Sequence, residues 1–144
     1  MSSKLLSIII PSYNQGQYIR ETLESVLAQK SDDIEVLVID GGSTDNSVEV
    51  IKEYEDRLDY WVSEADRGQS HAFNKGFKRA SGHYLTWVNS DDLFLAETVN
   101  TFREFVTRRH LPDWVAANSM WVDVEGRILK CTVNAGWSEY AKKS

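Results

Sequence analysis

The chain has little cysteine, no excess of positive charge and no long apolar run, and each shortage closes off a class of protein. Cys131 is the sole cysteine, so an intramolecular disulfide is impossible and a disulfide-stapled scaffold is excluded. A lone cysteine mostly serves as a small hydrophobe. The formal net charge is −6, which argues against the clustered basic surface that nucleic-acid binding needs. The first apolar run, Leu5 to Ile10, breaks at Pro11 and is too short for a secretory leader or a membrane span. A soluble, cytoplasmic protein with no membrane span and no nucleic-acid partner is therefore expected. There is no G-x-x-x-x-G-K-[ST] loop for P-loop chemistry and no G-x-G-x-x-G after the first strand for a dinucleotide. His71, His83 and His110 lack metal-ligand spacing, which disfavours a hydrolytic zinc site.

What is present suits one compact domain: 144 residues, 42% apolar and 26% charged. Leu5 to Ile10 and Ile34 to Ile39 are continuous aliphatic runs, as buried parallel strands require. Between them Tyr18, Ile19, Thr22, Leu23, Val26 and Leu27 recur at helical spacing. Val48, Ile51 and Tyr54 mark a second helix, with Ser43 or Thr44 as its expected cap and Asp45 near its positive end. Tyr60 to Val62 reads as a short third strand. Ala72, Phe73, Gly76, Phe77 and Ala80 form the face of a third helix, stopped by Ser81-Gly82. Tyr84 to Val88 is a fourth strand, and Ala96 to Arg108 a fourth helix. Beyond Pro112, Trp114 to Ala117 and Met120 to Val124 read as strands, with a turn at Glu125-Gly126.

This alternation predicts an α/β fold: a mostly parallel sheet with helices on both faces and right-handed crossovers, its last strands antiparallel. One domain is expected over 1–133, with an irregular tail over 134–144.

In such a sheet, ligands bind beyond the carboxyl ends of the strands. Here those ends read Pro11-Ser12-Tyr13-Asn14, Asp40-Gly41-Gly42-Ser43-Thr44-Asp45, Ser63-Glu64-Ala65-Asp66-Arg67-Gly68 and Asn89-Ser90-Asp91-Asp92. Asp, Asn, Ser and Gly are ordinary turn formers and helix caps. Together, at one rim, they match the needs of a nucleoside diphosphate. Tyr13 offers a ring for a base to stack on. Asp40 is an acceptor suited to the imino N–H of uracil, and Gly41 and Gly42 allow close backbone approach. Asn89 and Asp91, two apart on extended chain, point the same way and suit one hard cation, Mg²⁺ or Mn²⁺, bridging to phosphates.

Three of these segments, Ser7-Ile-Ile-Ile-Pro-Ser-Tyr-Asn14, Ile39-Asp-Gly-Gly-Ser-Thr-Asp45 and Tyr84-Leu-Thr-Trp-Val-Asn-Ser-Asp-Asp92, together resemble the family 2 inverting glycosyltransferases. Asp66-Arg-Gly-Gln-Ser-His-Ala-Phe-Asn-Lys-Gly76 fits the same pattern. The resemblance implies a GT-A (Rossmann-like) fold and transfer of a sugar, with inversion, from a nucleotide donor, often UDP-linked, to a saccharide or lipid-linked acceptor. It implies that Pro11 and Tyr13 line the base pocket and that Asp40 holds the base or ribose. It makes Asp91 the metal ligand closing the Asp-x-Asp motif. Asn89 stands in that motif's first position, supplying an amide oxygen and one negative charge fewer. Ser90 falls within the same donor-binding motif. Gly68, Asn74 and Lys75 belong to the segment beside the donor, and Asp92 either accepts from sugar hydroxyls or caps the next helix.

Inversion also needs a base to deprotonate the acceptor. Asp113, Asp123, Glu125 and Glu139 sit in no recognisable acceptor motif, so the catalytic base stays unassigned. The chain accordingly reads as a family 2 enzyme cut after its sixth strand, and a donor-binding module without turnover is the alternative. Apolar surface on Phe102, Phe105, Trp114, Trp121 and Trp137 would then favour a homodimer.

Overall fold

The computed structural model describes residues 4–123 and 125–132. The residues through Phe102 form one compact unit and those from Arg103 a second. The tail expected over 134–144, with Trp137 and Glu139, lies outside the described residues.

The first unit is built on a parallel sheet of four strands in the order β3-β2-β1-β4, from β1 (Leu6–Ser12), β2 (Ile34–Asp40), β3 (Tyr60–Ser63) and β4 (Tyr84–Trp87). Every residue of β1 is buried, and only Glu35 of β2 is not, which explains why both read as unbroken aliphatic runs. β1 runs further than expected, through Pro11 to Ser12, in register with Ile39 and Asp40 of β2. A proline inside a central strand is tolerated because the pairing with β4 stops at Ile9.

The helices are α1 (Ile19–Leu27), α2 (Ser47–Glu53), α3 (Gln69–Arg79) and α4 (Thr98–Arg108), with a single 3-10 turn at Glu55–Arg57. α1 buries Ile19, Thr22, Leu23, Val26 and Leu27, the stripe its spacing predicts. The cap expected on α2 is different: neither Ser43 nor Thr44 caps it. The helix starts only at Ser47, with Asn46 at the N-cap position, and Asp45 just before it accepts from the Ser47 N–H at 2.9 Å. α3 lies on β1 so closely that a Cβ on Gly76 would fall 2.6 Å from Ile9. Ile9, Ile39 and Ala72 form the core beneath it, with Tyr60, Val62, Phe73 and Phe77 around them.

In the second unit, β5 (Ser119–Val122) pairs antiparallel with β6 (Ile128–Thr132) around a turn in which the Gly126 N–H donates to the Asp123 carbonyl at 2.9 Å. Two expectations are corrected. Trp114 to Ala117 is not a strand, and Ile128–Thr132, unmarked by its pattern, is one. Both β5 and β6 are largely exposed, so neither shows the alternation that burial on one face imposes.

Candidate functional site

The segments that end β1, β2, β3 and β4 close around one cavity of about 650 Å³. That lies within the roughly 300–1,000 Å³ usual for small-molecule sites. Its walls are Pro11, Ser12, Tyr13 and Gln15 from the first strand end and Gly41 and Gly42 from the second. Ala65, Asp66 and Gly68 come from the third, Gln69 and Ala72 from α3, and Asn89, Ser90 and Asp91 from the fourth. Of the residues expected at the site, Pro11, Tyr13, Gly41, Gly42, Gly68, Asn89, Ser90 and Asp91 are on this wall. Ser12, Gln15, Ala65, Asp66, Gln69 and Ala72 are on it as well, though none had been given a role of its own. Asp66 was legible as a polar strand end. Gln69 was legible only as part of the Asp66 to Gly76 segment, since nothing in the sequence marks which residue of that segment faces a cavity.

Tyr13 is 61% exposed, leaving its ring free to receive a planar group. Asp40 is wholly buried and does not line the cavity. Its Oδ2 accepts from the Gly42 N–H (3.1 Å), the Ser43 N–H (2.9 Å) and the Ser63 hydroxyl (2.7 Å), and its Oδ1 from the Ser43 hydroxyl. The carboxylate therefore holds the Gly41-Gly42-Ser43 loop in shape.

Gly68 has a φ of +102°, a conformation that strains any side chain. Its carbonyl accepts from the His71 N–H at 2.8 Å, starting α3, while its own N–H donates to Asp66 at 2.7 Å. This sharp entry brings Gln69 across the cavity, where its amide donates to Asn89 Oδ1 at 2.8 Å. Asn89 in turn donates to Asp92 Oδ2 at 2.9 Å. Asp92 is thus folded back on Asn89, its N–H donating to the Asn89 carbonyl at 3.0 Å. It caps no helix, since α4 begins only at Thr98. Asp91 is exposed, and its carboxylate has no hydrogen-bond or ion-pair partner among the described residues.

Lys75 does not line the cavity. Its ammonium pairs with Glu64 at 3.0 Å, tying α3 to the segment after β3. Asn74 is exposed on the same helix. The result is an asymmetric field: two carboxylates, Asp66 and Asp91, face the cavity, and no lysine, arginine or histidine does so among the described residues. No group of three His, Cys, Asp or Glu side chains converges on a cation position among the described residues.

The sequence pattern of glycosyl transferase family 2 matches residues 7–129. The chain belongs to that family. A glycosyltransferase of uncharacterised activity from Haemophilus influenzae is 32% identical over 143 residues, covering 97% of this chain and 57% of that protein. Glycosyltransferase GlyG of Streptococcus pneumoniae is 34% identical, covering 74% of this chain and 36% of its own length. The chain thus spans only part of the length of these relatives. Among solved structures, S. aureus TarS in complex with UDP-GlcNAc superposes with a TM-score of 0.67 at 30% identity, over 74% of this chain and 32% of TarS. The mannosyltransferase PcManGT from Pyrobaculum calidifontis, in complex with GDP-Man and Mn²⁺, gives 0.65 at 26% identity, over 74% and 33%. The fold is that of the GT-A glycosyltransferases. Among the described residues no helix is long and apolar enough to cross a membrane.

Proposed function

We propose that the cavity holds a nucleoside-diphosphate sugar, UDP-linked in the first instance, and that the chain is the donor-binding part of an inverting glycosyltransferase. The acceptor class would be a saccharide or a lipid-linked sugar. The observation that carries this reading is the charge of the cavity wall. A diphosphate placed beside Asp66 and Asp91, with no cationic side chain on the wall, is repelled unless a divalent cation reverses the local field. The bound UDP-GlcNAc of TarS and the GDP-Man with Mn²⁺ of PcManGT support that class of ligand.

The residues present fit Mg²⁺ or Mn²⁺. Asp91 offers a free carboxylate, and Asn89 Oδ1, which accepts from Gln69, has a second lone pair. Such a cation commonly takes one or two protein ligands and completes its shell with phosphate oxygens and water, which matches the want of a three-acid cluster among the described residues. When bound, it stabilises negative charge on the departing diphosphate.

The chain's own residues orient the donor. Tyr13 stacks on the base, Pro11 and the Gly41-Gly42 turn shape the base end, and Asp40 holds that turn rigid. Gly68 brings the start of α3 towards the donor, Ser90 lies beside the diphosphate, Asp92 steadies the Asn89 amide, and Lys75 fixes Glu64 behind the wall. Removal of the acceptor proton falls to the acceptor-binding side. Asp123 and Glu125 are both ion-paired to Arg127, at 2.6 and 2.7 Å, and serve the β5–β6 turn. The exposed rings of Trp114 and Trp121 in the second unit suit association of two copies.

The reading is tested by incubating the chain with UDP-sugars and Mn²⁺ and measuring UDP formed. Slow, metal-dependent release above the blank is expected. Tight donor binding with no release would favour the donor-binding module, and neither binding nor release would reject both.

A further inference from the structure

We propose that Asp45 is a positioning residue that clamps the Tyr13 loop over the cavity and so sets nucleotide affinity. The proposal rests on the reading that this cavity takes a nucleoside diphosphate. Tyr13 is followed by three residues, Asn14, Gln15 and Gly16, whose successive backbone amides are all held by side chains of the loop after β2 and of the first residue of α2. The Asn14 N–H donates to Ser43 Oγ at 2.8 Å, the Gln15 N–H to Ser47 Oγ at 2.9 Å, and the Gly16 N–H to Asp45 Oδ2 at 2.9 Å. In return the Thr44 N–H donates to Asn14 Oδ1 at 2.9 Å.

The two hydroxyls can accept from the loop because each spends its own proton on a carboxylate. Ser43 donates to Asp40, and Ser47 donates to Asp45 Oδ1. Two relays result, Asp40–Ser43–Asn14 and Asp45–Ser47–Gln15. Asp45 controls two of the three loop amides, Gly16 directly and Gln15 through Ser47. The loops meet so tightly that a Cβ on Gly16 would stand 1.9 Å from Asn46 Oδ1. Asn14 itself sits at a φ of +52°, a conformation held by this mesh of bonds. The ring of Tyr13, joined directly to Asn14, takes its place from the clamp. Asp45 lies outside the cavity wall, so its effect on a ligand runs through the loop.

Asp45→Asn is the informative change. An amide has one acceptor oxygen where Asp45 uses two, so its NH₂ must face either the Gly16 N–H or the Ser47 pair, donor against donor. UDP affinity is expected to fall about tenfold, within the range of coupling for residues sharing one hydrogen-bond network. On a Tyr13→Ala background the same change should cost nothing further. Equal costs with and without the Tyr13 ring would overturn the proposal, since a merely stabilising residue acts additively. Hydrogen exchange supplies a ligand-free readout: the amides of 14–16 should exchange faster in Asp45→Asn, and unchanged protection would also overturn it. Should that variant lose its cooperative melt, Asn14→Ala breaks the clamp from the other side and must show the same non-additivity. Failure of the unaltered chain to bind UDP would sink the nucleotide reading itself, a result distinct from an additive cycle.

Discussion

At Asp91 an exposed carboxylate stands on the wall of a cavity with no cationic partner among the described residues. Removing it by Asp91→Ala is expected to abolish the increase in UDP affinity that Mn²⁺ confers, while the metal-free affinity stays the same or rises. Calorimetric titrations with and without Mn²⁺ read this directly, and an undiminished metal effect would remove Asp91 from the site. Asp59 shows the opposite case, a carboxylate fully committed to structure. Burial pushes its pKa up, but the hydrogen bond from Lys30, the Val36 N–H and the charges of Lys30 and Lys4 outweigh that and hold it below the usual value. A depressed folded pKa contributes stability above the ordinary carboxylate value of about 4, and that stability is lost as pH falls through the folded value. Asp59→Asn should therefore cost roughly 1 kcal/mol at neutral pH and flatten the loss of stability in acid, as followed by urea melts between neutral pH and pH 3.

Among the elements, α3 carries the site's geometry. Gly68 starts it at a positive φ, Gln69 spans the cavity to Asn89, and Gly76 lets it lie against Ile9 of β1. Gly76→Ala would place a methyl inside the Ile9 side chain, and overpacking of that kind costs about 1–3 kcal/mol. A lowered urea midpoint with weaker nucleotide binding is expected; unchanged stability would show that β1 gives way easily. The elements themselves were legible wherever burial dictates a pattern. β1 and β2 lie under cover on both faces and read as aliphatic runs, and α1 and α3 read as stripes. β6 was not legible, because strands exposed on both faces impose no alternation, and the same want of burial made Trp114 to Ala117 look like a strand. The α2 cap was misplaced for another reason: Ser43, Thr44, Asp45 and Asn46 are all good caps by type, and only the folded loop shows that the helix begins as late as Ser47.

Taken whole, the molecule gathers polar strand ends at one rim of a parallel sheet, and that gathering was readable because the rim follows from strand order alone. What sequence could not tell was which polar residue at each rim position faces inward. The Asp40 carboxylate accepts from the Gly42 and Ser43 N–H groups of its own loop, whereas Asp66 and Gln69 line the cavity. Such choices depend on hydrogen bonds between loops remote in sequence, as in the bonds from the loop at Asn14 to Ser43, Ser47 and Asp45. The central claim is that this rim holds a nucleoside diphosphate through a divalent cation. Isothermal titration of the chain with UDP, in the presence and absence of Mn²⁺, tests it most directly. Binding that strengthens at least severalfold with the metal is expected; no heat with any nucleoside diphosphate in either condition would contradict it.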